Sequence, residues 1–282
     1  MPTTYFYSAW LRRILLLPLA LLSAAGLTGC ELFEFSPNEI RTTEEYHDLT
    51  RKNLDALAER PVPGNGDTLR FIFTGDPQRF YAEADELVAS VNQQRDIAFV
   101  AIAGDISDFG LIREFRWVHD KMRRLHVPYL TVIGNHDHAA NGRQSYQEVF
   151  GPLNYSFRYA GTQFVLVNTN GREYDFNGQV PDVGWLHSQL ADTVGVRRQV
   201  VMSHVPPMDE DFDHQLEKPY VAALASSPLV MMQLNGHRHG FSETWPYEGA
   251  IPYINSASFQ KNRYLIISLW GKREFKLETV YF

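Results

Sequence analysis

From residue 68 onward, short unbroken apolar runs alternate with longer segments whose apolar residues recur at helical spacing. "TLRFIF", "IAFVAIAG" and "PYLTVIG" are continuous apolar runs. The segments "YAEADELVASVNQQ", "EFRWVHDKMRRL" and "RQSYQEVF" follow them in turn, with apolar residues three and four positions apart. A strand without apolar–polar alternation is covered on both faces, as in sheets flanked by helices. The first half of the chain therefore predicts strand–helix–strand units.

Beyond residue 154 the rhythm becomes β-rich. "YSFRYA", "TQFVLVNT", "RQVVMSH", "LVMMQLNG", "YLIISLW" and "FKLETVYF" read as strands, and "PDVGWLHSQLADT" as the one clear helix among them. No internal repeat or low-complexity segment breaks this region.

The N-terminus follows another pattern. Arg12 and Arg13 precede "ILLLPLALLSA", an apolar run of 11 residues interrupted by Pro18. That is too short to span a bilayer core of about 30 Å as a helix, and it reads as the apolar region of a secretory signal peptide. It ends in "LTGC", which resembles the bacterial lipobox. The resemblance implies cleavage after residue 29 and lipidation of Cys30, leaving 282 − 29 = 253 residues. Cys30 is the single cysteine, so no intramolecular disulfide competes for it. The alternative is a signal anchor with an incidental cysteine. A lipid-anchored chain belongs to the bacterial cell envelope, facing the periplasm or the cell surface. Glu31, in place of the aspartate linked to inner-membrane retention, points to the outer membrane. Residues 30–67 read as a tether, with an amphipathic helix starting near Thr42 or Thr43 and broken by "PVPGNGD". Residues 68–282 form the main domain.

Charge narrows the function classes. The net charge of −7 argues against a surface that coats nucleic acid, which needs clustered Lys and Arg. It does not exclude a phosphate substrate, because bound cations reverse the local field.

Polar residues close the predicted strands in an ordered series: Asp76 in "TGDPQ", Asp105 in "AGDISD", Asn135 and His136 in "IGNHD", His204 in "MSH", and His237 and His239 in "GHRH". The first two steps, from Asp76 to Asp105 and on to Asn135, are 29 and 30 residues, about one strand–helix–strand unit each. Parallel strands so connected deliver these side chains to one carboxyl edge, where open α/β sheets bind ligands. Oxygen and imidazole donors in such a set suit divalent first-row metals. Glycines 75, 104, 134 and 236 allow sharp backbone turns where a ligand is presented.

The ordered motifs resemble those of the calcineurin-like metallophosphoesterases, over residues 70 to about 260. The resemblance implies an α/β fold, a four-layer αββα sandwich with mixed sheets, and two divalent metal ions at its edge. Asp76, Gln78, Asp105 and His239 would hold the first metal. Asp105 would bridge to the second, held by Asn135, His204 and His237. A hydroxide bridging the metals would attack phosphorus. His136 would serve the leaving group as proton donor or charge stabiliser, with Asp108 orienting it.

Gln78 departs from the commoner Asp-x-His pattern. Its amide oxygen is neutral, as imidazole is, but a harder donor, which favours Mn²⁺ or Mg²⁺ over softer-ligand metals, with Fe and Zn as alternatives. The competing reading is that Gln78 only hydrogen-bonds within a turn. The function implied is metal-dependent hydrolysis of phosphate esters. A nucleotide pyrophosphatase or phosphodiesterase is the nearest alternative, and a non-catalytic metal-binding lipoprotein is one of another class.

Other polar residues read differently. His47, His119, His126, His187 and His214 fall in helical or loop contexts and are expected to be non-ligands. His138 reads as a neighbour of the site. Arg79, Tyr81 and Arg238 stand close to ligands in sequence and are candidates to meet phosphate. The acidic run "MDEDFDH" (208–214) reads as a solvated face, with a gating loop as the alternative. Trp117, Trp185 and Trp270 are expected in the core.

Overall fold

The computed structural model describes residues 39–62, 68–248 and 251–282. The signal peptide, the lipobox and Cys30 lie outside the described residues. Residues 40–282 form one compact unit. No helix among the described residues is long and apolar enough to cross a membrane.

The elements run α1 (Leu49–Ala58), β1 (Leu69–Thr74), α2 (Tyr81–Val91), β2 (Ile97–Ile102), α3 (Ile112–Met122), β3 (Tyr129–Thr131) and α4 (Gly142–Val149). Then come β4 (Tyr155–Tyr159), β5 (Thr162–Leu166), α5 (Val183–Ala191), β6 (Arg198–Met202), α6 (His214–Ser226) and β7 (Val230–Asn235). The chain closes with β8 (Ser242–Thr244), β9 (Tyr253–Asn255), β10 (Arg263–Trp270) and β11 (Glu274–Tyr281). Two mixed sheets result, in the orders β11-β10-β1-β2-β3 and β4-β5-β6-β7-β9-β8. Within them β1, β2 and β3 run parallel, as do β5, β6, β7 and β9.

The period of two along each strand explains the unbroken apolar runs. Phe71 and Phe73 of β1, Phe99 and Ala101 of β2, and Leu265 and Ile267 of β10 face inward, where they meet Phe164, Val200, Met202 and Leu234 of the second sheet. Phe71 packs edge-to-face on Phe164 across the sheets, with ring centroids 5.4 Å apart. Ile72, Val100 and Ile102 face outward onto α2, α3 and α4. Val165 and Val201 likewise face α5 and α6. Helices, two sheets and helices form the four layers expected of an αββα sandwich.

Three details differ from the sequence reading. The chain after Thr43 forms only a short 3₁₀ turn, Glu44–Tyr46, and the α-helix begins at Leu49. That helix is docked on the domain: Leu49 and Leu57 are each 2% exposed, and Asn53 Oδ1 accepts the Tyr129 N–H at 3.0 Å. The chain also forms α6, which the pattern left unassigned because Pro219 sits inside it. Its start is fixed by Asp213, whose carboxylate accepts the Gln215 N–H. Trp117 and Trp270 are 47% and 37% exposed, so neither is a core residue. Trp117 instead lies edge-on to Tyr81 with Arg113 above its ring. Amphipathic aromatics of this kind are stable half in water.

Candidate metal centre

Each motif residue follows the carboxyl end of a parallel strand. Asp76 comes two residues after β1, Asp105 three after β2, Asn135 four after β3, His204 two after β6, and His237 two after β7. The first three leave one sheet and the last two leave the other, so the site sits where the two carboxyl edges meet. The edges are joined there: Gly75 bridges to Ser258, and His204 Nδ1 lies 2.5 Å from the main-chain oxygen of Ala103.

The backbone at the site is unusual. Asp76, Asp105, His237 and His239 all have positive φ, at 52°, 53°, 71° and 54°. Side-chain-bearing residues rarely adopt that conformation, and its clustering marks a functional site. Two glycines are required for different reasons. Gly104 has φ +91°, and a Cβ there would lie 2.6 Å from His204 Nδ1. At Gly134 the reason is close approach, since a Cβ would lie 2.1 Å from Asp105 N.

The donors converge. Ligand atoms of Asp76, Asp105 and His204 lie within 4.8 Å of one another, and all three residues are buried. His204 Nε2 is 3.3 Å from Asp105 Oδ2 and 2.9 Å from Asn135 Oδ1. His237 Nδ1 is 3.1 Å from the same Asn135 oxygen. His239 Nε2 approaches Asp76 Oδ1 at 3.5 Å. The other Asp76 oxygen is buried with no hydrogen-bond partner. A buried carboxylate oxygen without a partner is costly unless a cation takes it.

Electrostatics agree with that reading. Burial pushes the Asp76 carboxyl up to about 8, and the neighbouring Asp105 charge adds to the effect. Burial also opposes charge on His204 and Asp105, yet each holds the other ionised, with His204 raised to about 10 and Asp105 held below its ordinary value. Two carboxylates with a single cationic partner leave an excess of buried negative charge.

Gln78 is also buried, at 3% exposure. With its nitrogen turned inward, the amide donates to Asp105 Oδ2 and Ser107 O at 3.3 Å each. With its oxygen inward, the group faces only acceptors, as an oxygen ligand beside a bridging carboxylate does. The donor set of carboxylates, amide oxygens and imidazoles fits hard to borderline divalent cations.

His136 stands at the rim. Its N–H donates to Asp105 Oδ1 at 3.0 Å, and its Nδ1 lies 3.1 Å from the main-chain oxygen of Asp108. The Asp108 carboxylate is further away, at 3.6 Å, because Arg79 holds it through Nε at 2.7 Å and through a terminal nitrogen at 2.6 Å. The backbone of Asp108, more than its carboxylate, therefore meets the imidazole. Arg79 reaches the site's edge, and Arg238 is bound to Asp209.

Several residues near the centre escape a reading by motif alone. Asp137 is fully buried and accepts four hydrogen bonds, from Ile106 N, Ser107 N, Ser107 Oγ and Gly134 N. It ties the Asp105 loop to the Asn135 loop. The acidic run is packed inward, with Phe212 fully buried, Asp213 at 1% and Asp211 at 8% exposure, which corrects its reading as a solvated face. Asp209 Oδ1 and Asp211 Oδ2 approach His237 Nε2 at 3.3 and 3.2 Å. Arg238 and Arg172 hold these carboxylates in turn, at 2.9 and 2.6 Å. The spacing Asp-x-Asp was visible, but its partner lies 26 residues further on. By contrast, His119 lies away from the centre and bonds the Tyr129 hydroxyl at 2.8 Å.

The family model of the calcineurin-like phosphoesterases matches residues 69–241, more than half of the chain. The chain belongs to the calcineurin-like phosphoesterase family. No protein of curated function matches the sequence.

Solved structures of this family's fold are similar at low identity. A purple acid phosphatase from yellow lupin (Lupinus luteus) seeds shares 14% identity at a TM-score of 0.58, over 78% of this chain and 52% of that one. The chain thus spans about half the length of the lupin protein. A dimetal phosphatase from Danio rerio shares 15% identity at 0.56, over 76% and 98% of the two chains. GAP50, the anchor in the inner membrane complex of Plasmodium, shares 14% at 0.56, over 76% and 84%. At these identities the likeness is one of fold.

Proposed function

We propose that the protein is a binuclear metal-dependent hydrolase of phosphate esters, held at the bacterial cell envelope by a lipid on Cys30. The observation that carries the catalytic reading is the convergence of buried donors at one edge, with an Asp76 oxygen left without a hydrogen bond. Asp76, Gln78, Asp105 and His239 are assigned to one cation. Asn135, His204 and His237 are assigned to the other, with Asp105 shared. Two such cations supply charge for the phosphoryl oxygens and lower the pKa of water to near neutrality.

The chain's own residues do the rest. The Asp105 carboxylate sets the spacing of the two ligand groups. The His136 imidazole, 35% exposed at the rim, meets the leaving oxygen and hands it a proton. The Asp108 main-chain oxygen fixes which ring nitrogen faces inward. Mn²⁺ is the favoured metal because the Gln78 amide replaces an imidazole. The anchor rests on the apolar segment followed by "LTGC".

The test uses the full chain after chelation, with Mn²⁺, Mg²⁺, Zn²⁺ or Fe²⁺ restored, against p-nitrophenyl phosphate and bis-p-nitrophenyl phosphate. Metal-dependent turnover is expected, falling by about 10²–10⁴-fold in His136→Asn while bound metal is unchanged. Turnover of the diester in preference would favour the phosphodiesterase alternative. No turnover with any metal, while metals still bind, would leave a binding module.

A further inference from the structure

A cavity of about 570 Å³ opens beside His136. Asn135 and His136 form its inner wall, and the rest is lined by His138, Arg143, Gln144, Arg172 and Glu173 with two alanines between them. It is continuous with the centre through Asn135, yet of its lining only Asn135 is assigned to a metal. Its size is that of a small-molecule site, about 300–1,000 Å³.

The charges in this cavity are unequal. Arg172 is consumed by two acids, Asp211 at 2.6 Å and Glu173 at 3.1 Å. Arg143 is not. It lies over the Tyr174 ring at 5.7 Å, and no carboxylate among the described residues pairs with it. His138 meets the same ring edge-on at 5.5 Å, and burial, with the Arg143 charge adding to it, keeps that imidazole neutral. The cavity therefore offers one uncommitted guanidinium beside a neutral imidazole, an amide and an already paired Arg172–Glu173 couple. Guanidinium binds phosphoryl and carboxylate oxygens strongly through paired N–H donors.

Position gives the ligand its identity. In-line displacement expels the leaving group opposite the attacking oxygen, next to His136. We propose that this cavity receives the leaving group and, through Arg143, selects phosphate esters whose leaving group carries a second anionic group, a carboxylate or a phosphoryl. This rests on the phosphoesterase reading above. Arg172 ties the cavity wall through Asp211 to His237, so the selecting site is built onto the metal centre.

The test compares two esters that differ by one charge, 4-nitrophenyl phosphate and 3-carboxy-4-nitrophenyl phosphate, with the metal-loaded full chain. The expected result is a higher kcat/KM for the carboxylated ester. That preference should fall about tenfold in Arg143→Gln and be partly kept in Arg143→Lys. Arg143 is exposed, so folding should survive either change. An equal preference in wild type and Arg143→Gln overturns the proposal. A second measurement separates it from the catalytic reading: calorimetric binding of the leaving group alone, 5-hydroxy-2-nitrobenzoate. If neither ester turns over, the catalytic reading fails, and weaker binding of this probe in Arg143→Gln still upholds the cavity. Equal binding, or none to either protein, overturns it.

Discussion

On the metal side of the site, Asp76 and His204 are fully buried and Asp105 is 1% exposed, each at the end of a parallel strand. On the cavity side, Arg143 and Gln144 are exposed, and Arg172 is carried by a short 3₁₀ turn, Gly171–Tyr174. One side is fixed by the sheets themselves, with left-handed backbone and close glycine contacts that admit few other residues. The other is assembled from exposed side chains on the first turn of α4 and from a short 3₁₀ turn, which can change without disturbing the core. The contrast separates what performs the chemistry from what chooses the substrate. It also sets how substitutions on each side should behave: metal-side changes should lose metal, and cavity-side changes should alter preference alone.

The strongest way to break the comparison is at Asp105, whose two oxygens meet His136 N and His204 Nε2. Asp105→Asn should lower the rate by at least about 10³-fold and reduce bound metal at both sites. Metal content per chain and initial rates check this together. Unchanged metal content would remove Asp105 from the centre.

Gln78 sharpens the metal side further, because its amide admits two opposite arrangements. Gln78→Ala should lose about one metal per chain if the oxygen faces inward. If the nitrogen faces inward and only bonds Asp105 and Ser107, metal content should be unchanged. Elemental analysis of the purified variant distinguishes the two directly.

Asp211 lies where the two sides touch, reaching Arg172 on one and His237 on the other. A carboxylate accepting the outer N–H of a ligating imidazole raises that ligand's basicity. Asp211→Asn should therefore weaken metal binding by about 10–100-fold and leave the number of sites unchanged. Titration of the chelated protein measures it. An unchanged affinity would show that Asp209 alone suffices to orient His237.

This division also explains what could be read from the sequence. Asp76, Asp105, Asn135, His204, His237 and His239 were legible because each ends an apolar run and the runs are spaced as sheet units. Buried strands leave a strong local signal. Asp209 and Asp211 were not legible as neighbours of His237, because an acidic run looks the same in solvent or against an imidazole. The cavity was hidden for a similar reason. Arg143 and Arg172 stand 29 residues apart with no shared pattern, and only the fold brings them to one wall. Helix α6 was obscured by Pro219, which a buried face carrying Tyr220, Ala223 and Leu224 overrides.

The smallest effect expected comes from Glu173, a cavity-side acid whose pair with Arg172 is partly exposed. Removing its charge in Glu173→Gln leaves Arg172 with Asp211 as its acidic partner and makes the cavity more positive. Exposed and half-exposed pairs contribute at most about 1 kcal/mol, so any change should stay within about fivefold. Its direction matters more than its size. The preference for the carboxylated ester should rise, while metals per chain and the thermal midpoint stay at their wild-type values. A fall in metal content would place Glu173 in the support of the centre, and the boundary between the two sides would then run through the 3₁₀ turn itself.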